Sequence, residues 1–269
     1  MSSSPAAVAS SDPMRRTLIS IALAGALGAL LVLSGGWIAA RLIIGSDNTQ
    51  ARARVEREVR TAFEVMAREL RDIGAAVADP AAVRAAGDDN GTAAADLMTR
   101  VDRAIAGTDL DSALTVYSPD GTPVAWAGRP SDMPSARLAQ SEAWFVVPGA
   151  LSLRLVYVRP VLDGTTRLGT IVVERSLPPS DDSAGRRNGF RGPSVESYRF
   201  STSLAPVSLQ LLIGRPDRPP ANTFDVMTPI GSTLLRAAVA DEDIDATRER
   251  WARATRSLVL VDLALTIVL

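Results

Sequence analysis

Chemistry in this chain falls to carboxylates, guanidinium groups, hydroxyls and amides. Its 269 residues include no His and no Cys, and its 29 basic residues are all Arg. Without His or Cys there is no Ser-His or Cys-His nucleophile pair, no thiolate zinc site and no imidazole ligand. Without Lys there is no Schiff base and no phosphate-loop lysine. The formal charge of −1 makes nucleic acid a poor partner. Asp241, Glu242, Asp243 and Asp245 stand close enough in sequence to suggest a cation site, but acids in the first turn of a helix are the ordinary answer to its dipole. Neither metal nor cofactor is therefore expected. Arg186, Arg187 and Arg191 could hold an anion, although their polar, Gly-rich surroundings at 180–194 read as a solvated loop.

The candidate ligand-lining residues are Tyr117, Trp126, Trp144, Tyr157 and Arg159, because small-molecule pockets combine aromatic walls with a few directed polar groups. Arg154 or Arg159 could grip a carboxylate through the planar guanidinium fork. Strand alternation puts Tyr157 and Arg159 on one face and Arg154 on the other, so the three cannot serve one pocket. Each is also an ordinary packing or surface residue of a strand. No catalytic residue is assigned; a carboxylate hydrolase is the one enzyme class left open, on the abundance of Asp and Glu alone.

The elements that must position these residues begin with a Ser- and Ala-rich tail, expected to be disordered over 1–16. Residues 17–40 carry no charge and are long enough to cross a bilayer, with Arg15, Arg16, Trp37 and Arg41 as interfacial anchors, so a transmembrane helix is expected over 17–44. Gly25 and Ala29 form a small-xxx-small pair suited to a partner helix. Val55, Val59, Phe63, Met66, Leu70, Ile73 and Val77 then predict a helix over 47–78. Its apolar stripe either packs on its own domain or zips to a second copy. Asp79-Pro80 is an N-cap with proline at the first helical position, opening a short helix to residue 86. A further helix is expected over 92–107.

The register then changes to strands. Residues 113–117 and 123–127 form a hairpin around Pro119-Asp120-Gly121, a strand follows at 143–147, and 151–162 pairs with 167–177 around Asp163-Gly164. The double proline at 178–179 ends the last of these. Three later strands are expected at 198–203, 207–213 and 234–240, with a proline-rich connection at 215–221. The acidic run at 241–245 opens a final helix leading into residues 258–269, an apolar run with one charge, Asp262. That run is shorter than the roughly 20 residues a span needs, and reads as the start of a second, incomplete transmembrane helix over 250–269.

A long helix leaving the membrane, a hairpin-rich antiparallel sheet and a helix returning to the membrane resemble the Cache-type (PAS-like) sensor regions of bacterial transmembrane receptors. The residues carrying the resemblance are VYSPDGTPVAWAG at 116–128, LVYVRPVLDGTTRLGTIVVE at 155–174, and LLRAAVADEDI running into the last helix. In detail the chain is similar to the sensing part of a membrane histidine kinase. The resemblance implies an α+β fold, a PAS-like antiparallel sheet with a long N-terminal helix, flanked by transmembrane helices. It further implies a sensor domain over 46–249, a ligand pocket on one face of the sheet, a homodimer, and signalling through the terminal helix. Two features depart from the family: there is no phosphoacceptor histidine or nucleotide-binding domain, and no Tyr/Arg/Trp/Asp signature of amino-acid-binding Cache receptors, so the ligand class stays unassigned.

The expected function is reception. The chain reads as the sensor portion of a two-component receptor in the bacterial inner membrane, its central domain extracytoplasmic, with catalysis in a part of the protein beyond these residues. The competing expectation is a membrane-anchored interaction or scaffold protein without a small ligand. A cavity lined by aromatic and Arg side chains favours the first, a sheet packed solid the second.

Overall fold

The computed structural model describes residues 13–88, 91–108, 112–149, 153–177, 198–211 and 222–268. The tail at 1–12, the double proline at 178–179, the loop at 180–194 and the connection at 215–221 lie outside the described residues. In chain order the elements are α1 (Pro13–Ile43), α2 (Asn48–Val77), α3 (Pro80–Gly87), α4 (Gly91–Ile105), β1 (Ser112–Tyr117), β2 (Pro123–Ala127), α5 (Ser135–Leu138), β3 (Ala143–Pro148), β4 (Leu153–Asp163), β5 (Thr166–Ser176), β6 (Tyr198–Phe200), β7 (Val207–Gln210), β8 (Thr223–Met227), β9 (Thr233–Val239) and α6 (Asp241–Val268). The fold is α+β with antiparallel sheets, and it divides into two compact units, Met1–Ala51 with Asp241–Leu269, and Arg52–Ala240.

In the first unit α1 begins at Pro13, inside the stretch expected to be tail, because proline's fixed φ and missing N–H suit the first helical position. Its segment Ile19–Ile43 is long and apolar enough to cross a membrane. Leu23, Leu27, Leu30 and Leu31 point outward and are exposed. Gly25, Gly28 and Gly36 face α6, which runs antiparallel to α1. A Cβ on Gly25 would lie 2.3 Å from the Thr266 side chain, one on Gly28 3.0 Å from the Asp262 carboxylate, and one on Gly36 2.5 Å from Thr255. The Trp251 indole N–H donates to the Gly36 carbonyl at 3.0 Å. Glycine thus lets the backbone of α1 approach the polar side chains of α6, and the expected pair Gly25 and Ala29 lies in this seam, both buried. The Asp262 Oδ2 atom is buried there without a hydrogen-bond partner. Gly45, at φ +98°, makes the turn out of α1. Asp47 then caps α2, its Oδ1 accepting from Gln50 N at 2.8 Å.

The second unit holds a five-stranded sheet in the order β2-β1-β5-β4-β3 and a four-stranded sheet in the order β6-β7-β9-β8. Leu114, Val173, Tyr157 and Trp144 lie opposite one another across β1, β5, β4 and β3 and share one face of the first sheet. Helix α2 covers that face: a Cβ on Gly74 would sit 3.2 Å from the Tyr157 ring. Helix α3 covers it beside Gly169, where a Cβ would meet the Tyr117 carbonyl at 2.4 Å and Val83 at 2.8 Å, so no larger residue fits. The α2 stripe of Val55, Val59, Phe63, Met66, Leu70 and Val77 is buried within the single chain, and Phe63 packs on Phe200 of β6 with centroids 5.8 Å apart. On the opposite face Tyr117, Leu138, Val156, Val158 and Val172 form a buried cluster closed by Met133, Phe145 and Val147. Residues 129–140, including the short α5, form a strap across it.

The strands at 113–117, 123–127 and 143–147 and the long hairpin follow the alternation that predicted them. Strand β8 was not expected. Its sequence TFDVM has two polar positions, and one of them, Asp225, pairs across to Arg236 of β9 at 2.8 Å.

Candidate functional site

The five sequence-predicted residues do not converge. Trp144 and Tyr157 are opposite neighbours on β3 and β4, stacked with centroids 4.2 Å apart and both buried on the α2 face. The Tyr157 hydroxyl donates to Glu142 Oε1 at 3.0 Å, Arg71 of α2 donates to the same oxygen at 3.2 Å, and the Arg71 guanidinium lies 5.6 Å from the Trp144 ring centroid. Burial, reinforced by Glu142, holds the Tyr157 phenol above its ordinary pKa. Arg159 is half-buried on the same face. Tyr117 is on the other face, under the strap, where burial and then the charge of Glu174 raise its pKa. Trp126 follows Tyr117 to that face on the edge strand β2, opposite Thr115, and is half exposed. The set therefore splits into three residues on one face and two on the other.

Arg154, on the strap face as alternation required, already holds a carboxylate from its own chain. Its Nη1 donates to Glu174 Oε2 at 3.2 Å and to the Arg129 carbonyl at 2.6 Å. Glu174 is 2 % exposed and also accepts from the Ser131 N–H at 2.9 Å and the Ser131 hydroxyl at 2.6 Å. The two side chains tie the strap to the sheet, so Arg154 is an internal brace and not the exposed strand residue of the plain reading. The acids at the start of α6 lie in its first turn. Among the described residues no three acidic side chains gather as a metal site would need.

Two hollows lie on the α2 side, around Arg175 of β5. One hollow of about 600 Å³ runs between α2 and β6, with Ala62, Val65, Met66 and Phe200 as its apolar lining and Arg57 on its rim. A second, of about 380 Å³, is lined by Leu70, Asp72, Ile73, Thr108 and Ser112. Arg175 lines both. It donates through Nη1 to Glu69 of α2, while its Nε is buried without a partner. Glu58 at the far end of the first hollow accepts from Ser203 N at 2.8 Å and Ser203 Oγ at 2.7 Å.

No family model matches the chain, and no curated protein matches it significantly.

Sequence reasoning passed over Arg175 and Glu174, and a period-two reading of β5 contains the signal for both. Arg175 falls in phase with Ile171 and Val173, and Glu174 in phase with Val172, so each is a charge next to buried apolar residues on an inward-facing row. A charge held inside a fold is either paired or functional.

Proposed function

We propose that the chain is the sensing portion of a membrane-bound signal-transduction receptor of the two-component histidine-kinase kind, with a PAS-like, Cache-type domain outside the membrane. The observation that carries the reading is the antiparallel pairing of α1 with α6, the two helices that enter and leave the α+β unit in sequence. Because Trp251 to Thr266 packs along Gly36 to Gly25, this part of α6 shares whatever medium surrounds the apolar span of α1. The five-stranded antiparallel sheet with a long helix on one face and a strap on the other supports the PAS-like assignment. A domain bracketed by a fixed helix pair is suited to passing ligand state to the membrane by a small helix displacement.

The natural absence of Cys makes the test direct. With Thr165→Cys, at the exposed tip of the β4–β5 hairpin, whole bacterial cells should be labelled by a membrane-impermeant maleimide; Ser3→Cys should label only after permeabilisation. Gly36→Cys with Thr255→Cys should form a disulfide in native membranes on mild oxidation. Reversed labelling, or no cross-link in membranes, would overturn the reading.

The second reading, a membrane-anchored interaction module without a small ligand, is favoured by one observation. The strap face of the sheet is packed with Tyr117, Leu138, Val156, Val158 and Val172, and the hollow of about 310 Å³ at its edge is lined largely by polar groups, among them Ser118, Asp120, Arg167 and Thr170. The described hollows lined by Arg175 are on the other face.

A further inference from the structure

Resting on the sensing reading, we propose that the groove between α2 and β6 binds a free organic carboxylate with an apolar body, Arg175 taking the ligand in place of Glu69. At about 600 Å³ the hollow is within the size of small-molecule sites. Its lining is apolar where a ligand body would lie: Met66 and Phe200 are buried beneath it, and Val65, 43 % exposed, forms a wall. The chemistry at its end is cationic. Arg175 spends Nη1 on Glu69 while its buried Nε–H has no acceptor, so Glu69 satisfies the guanidinium only in part and a carboxylate arriving in its place has unspent donor capacity to meet.

The surrounding charges favour an anion. Arg57 on the rim has no carboxylate partner among the described residues and adds to the attraction. Glu58 is held by the Ser203 N–H and hydroxyl, and Glu69 stays close to Arg175. The lining sets Arg54, Arg57 and Arg175 against Glu58 and Glu69, a balance that attracts an anion, while its apolar wall calls for an anion with an apolar body. Glu69 belongs to α2 and Arg175 to the sheet, so a ligand that displaces Glu69 unties the helix from the strand it is braced against. Binding thereby removes one tie between the sheet and α2, the helix that follows α1 in the chain, while the buried stripe keeps α2 in place.

The test uses the full chain in lipid nanodiscs, with 4-phenylbutyrate as probe, its uncharged amide as control, and empty nanodiscs to measure partitioning. Isothermal titration should show saturable binding of the acid and binding of the amide weaker by about tenfold or more, the loss of a charge-assisted hydrogen bond. Arg175→Met should lose binding by a similar factor, and Glu69→Gln, which removes the competing carboxylate, should bind several-fold tighter. Val65→Asp, a surface change that spares the fold, should abolish binding even if Arg175→Met folds poorly. Equal affinity for acid and amide, heat matched by empty nanodiscs, or unchanged binding in Arg175→Met and Val65→Asp would each sink the proposal. So would a dimer in light scattering that Val65→Asp breaks while wild type binds no acid, since the groove would then be filled by a second copy. The Gly36→Cys/Thr255→Cys cross-link separates the two readings. Binding that leaves cross-linking unchanged removes the relay and keeps the site; absent binding removes the site and leaves the membrane topology standing.

Discussion

Replacing Glu174 by Ala tests whether the strap is held by charge or by packing. The side chain is 2 % exposed and accepts three hydrogen bonds, from Ser131 N, Ser131 Oγ and Arg154 Nη1. Truncation leaves the Arg154 guanidinium, itself only 16 % exposed, with the Arg129 carbonyl as its main acceptor. Breaking a buried pair by removing one partner costs about 3–5 kcal/mol. Arg154 retains one carbonyl and a path to water, which puts the expected loss at the lower end, about 3 kcal/mol. For a protein of this size that corresponds to a fall in Tm of roughly 6–12 °C. The double change Glu174→Leu with Arg154→Met should restore most of the loss, because the attraction between buried charges largely offsets their desolvation. Thermal melts followed by circular dichroism give the stability, and amide hydrogen exchange at 129–134 reports the strap. A loss below about 1 kcal/mol with unchanged exchange in the strap, or a double variant as unstable as the two single changes summed, would refute the reasoning.

Two further outcomes follow from groups whose protonation is shifted. Asp79 accepts from Arg100 and from the first amides of α3, which holds its carboxyl below the ordinary 3.8. Because the folded form binds this proton less readily than the unfolded chain, the stabilisation is present above about pH 3.8 and is lost as pH falls through the folded value. Asp79→Ala should cost about 1 kcal/mol at neutral pH as a lost helix cap, and denaturant titrations should show a shallower decline of stability in acid than in wild type. Tyr157 shifts the other way, raised by burial and then by Glu142, so its contribution is present below pH 10.0 and is lost as pH rises through the folded value. Tyr157→Phe should cost about 1 kcal/mol at pH 7, the net worth of its hydrogen bond to Glu142. It should also flatten the alkaline loss of stability in urea melts taken through pH 10 and above.

Most of the scaffold was legible because its signals are local. The apolar run before Arg41 and the stripe of α2 repeat every three to four residues, and the β4–β5 hairpin announces itself by alternation on both sides of Asp163-Gly164. Asp79-Pro80 marks the start of α3 to the residue. What stayed hidden depends on partners distant in sequence. The strand β8 is held by β9 and by the Asp225–Arg236 pair, and TFDVM alone has too little alternation to reveal it. The candidate site suffered in the same way. Aromatic residues flagged Trp144 and Tyr157, which do meet, but the face that each strand presents is set by cross-strand register, and this sends Tyr117 and Trp126 to the opposite side. Arg175 carries no local mark beyond its phase, since its meaning comes from Glu69, more than a hundred residues earlier, and from the hollow beside it.

The glycines of α1 also limit how the helix pair can move. Sliding α6 by one turn, about 5.4 Å, would shift Asp262 from Gly28 to Ala24 or Val32. It would move Thr266 from Gly25 to Ile21 or Ala29, and Thr255 from Gly36 to Val32 or Ala40. Each of those neighbours carries a Cβ where the backbone now approaches with none, and a β-branched side chain stands in the way in both directions, Ile21 and Val32 in one and Val32 in the other. The seam acts as a detent with a single axial stop. Motion along it is confined to tilt, rotation or a fraction of a turn, and a full-turn ratchet would have to pry the helices apart first.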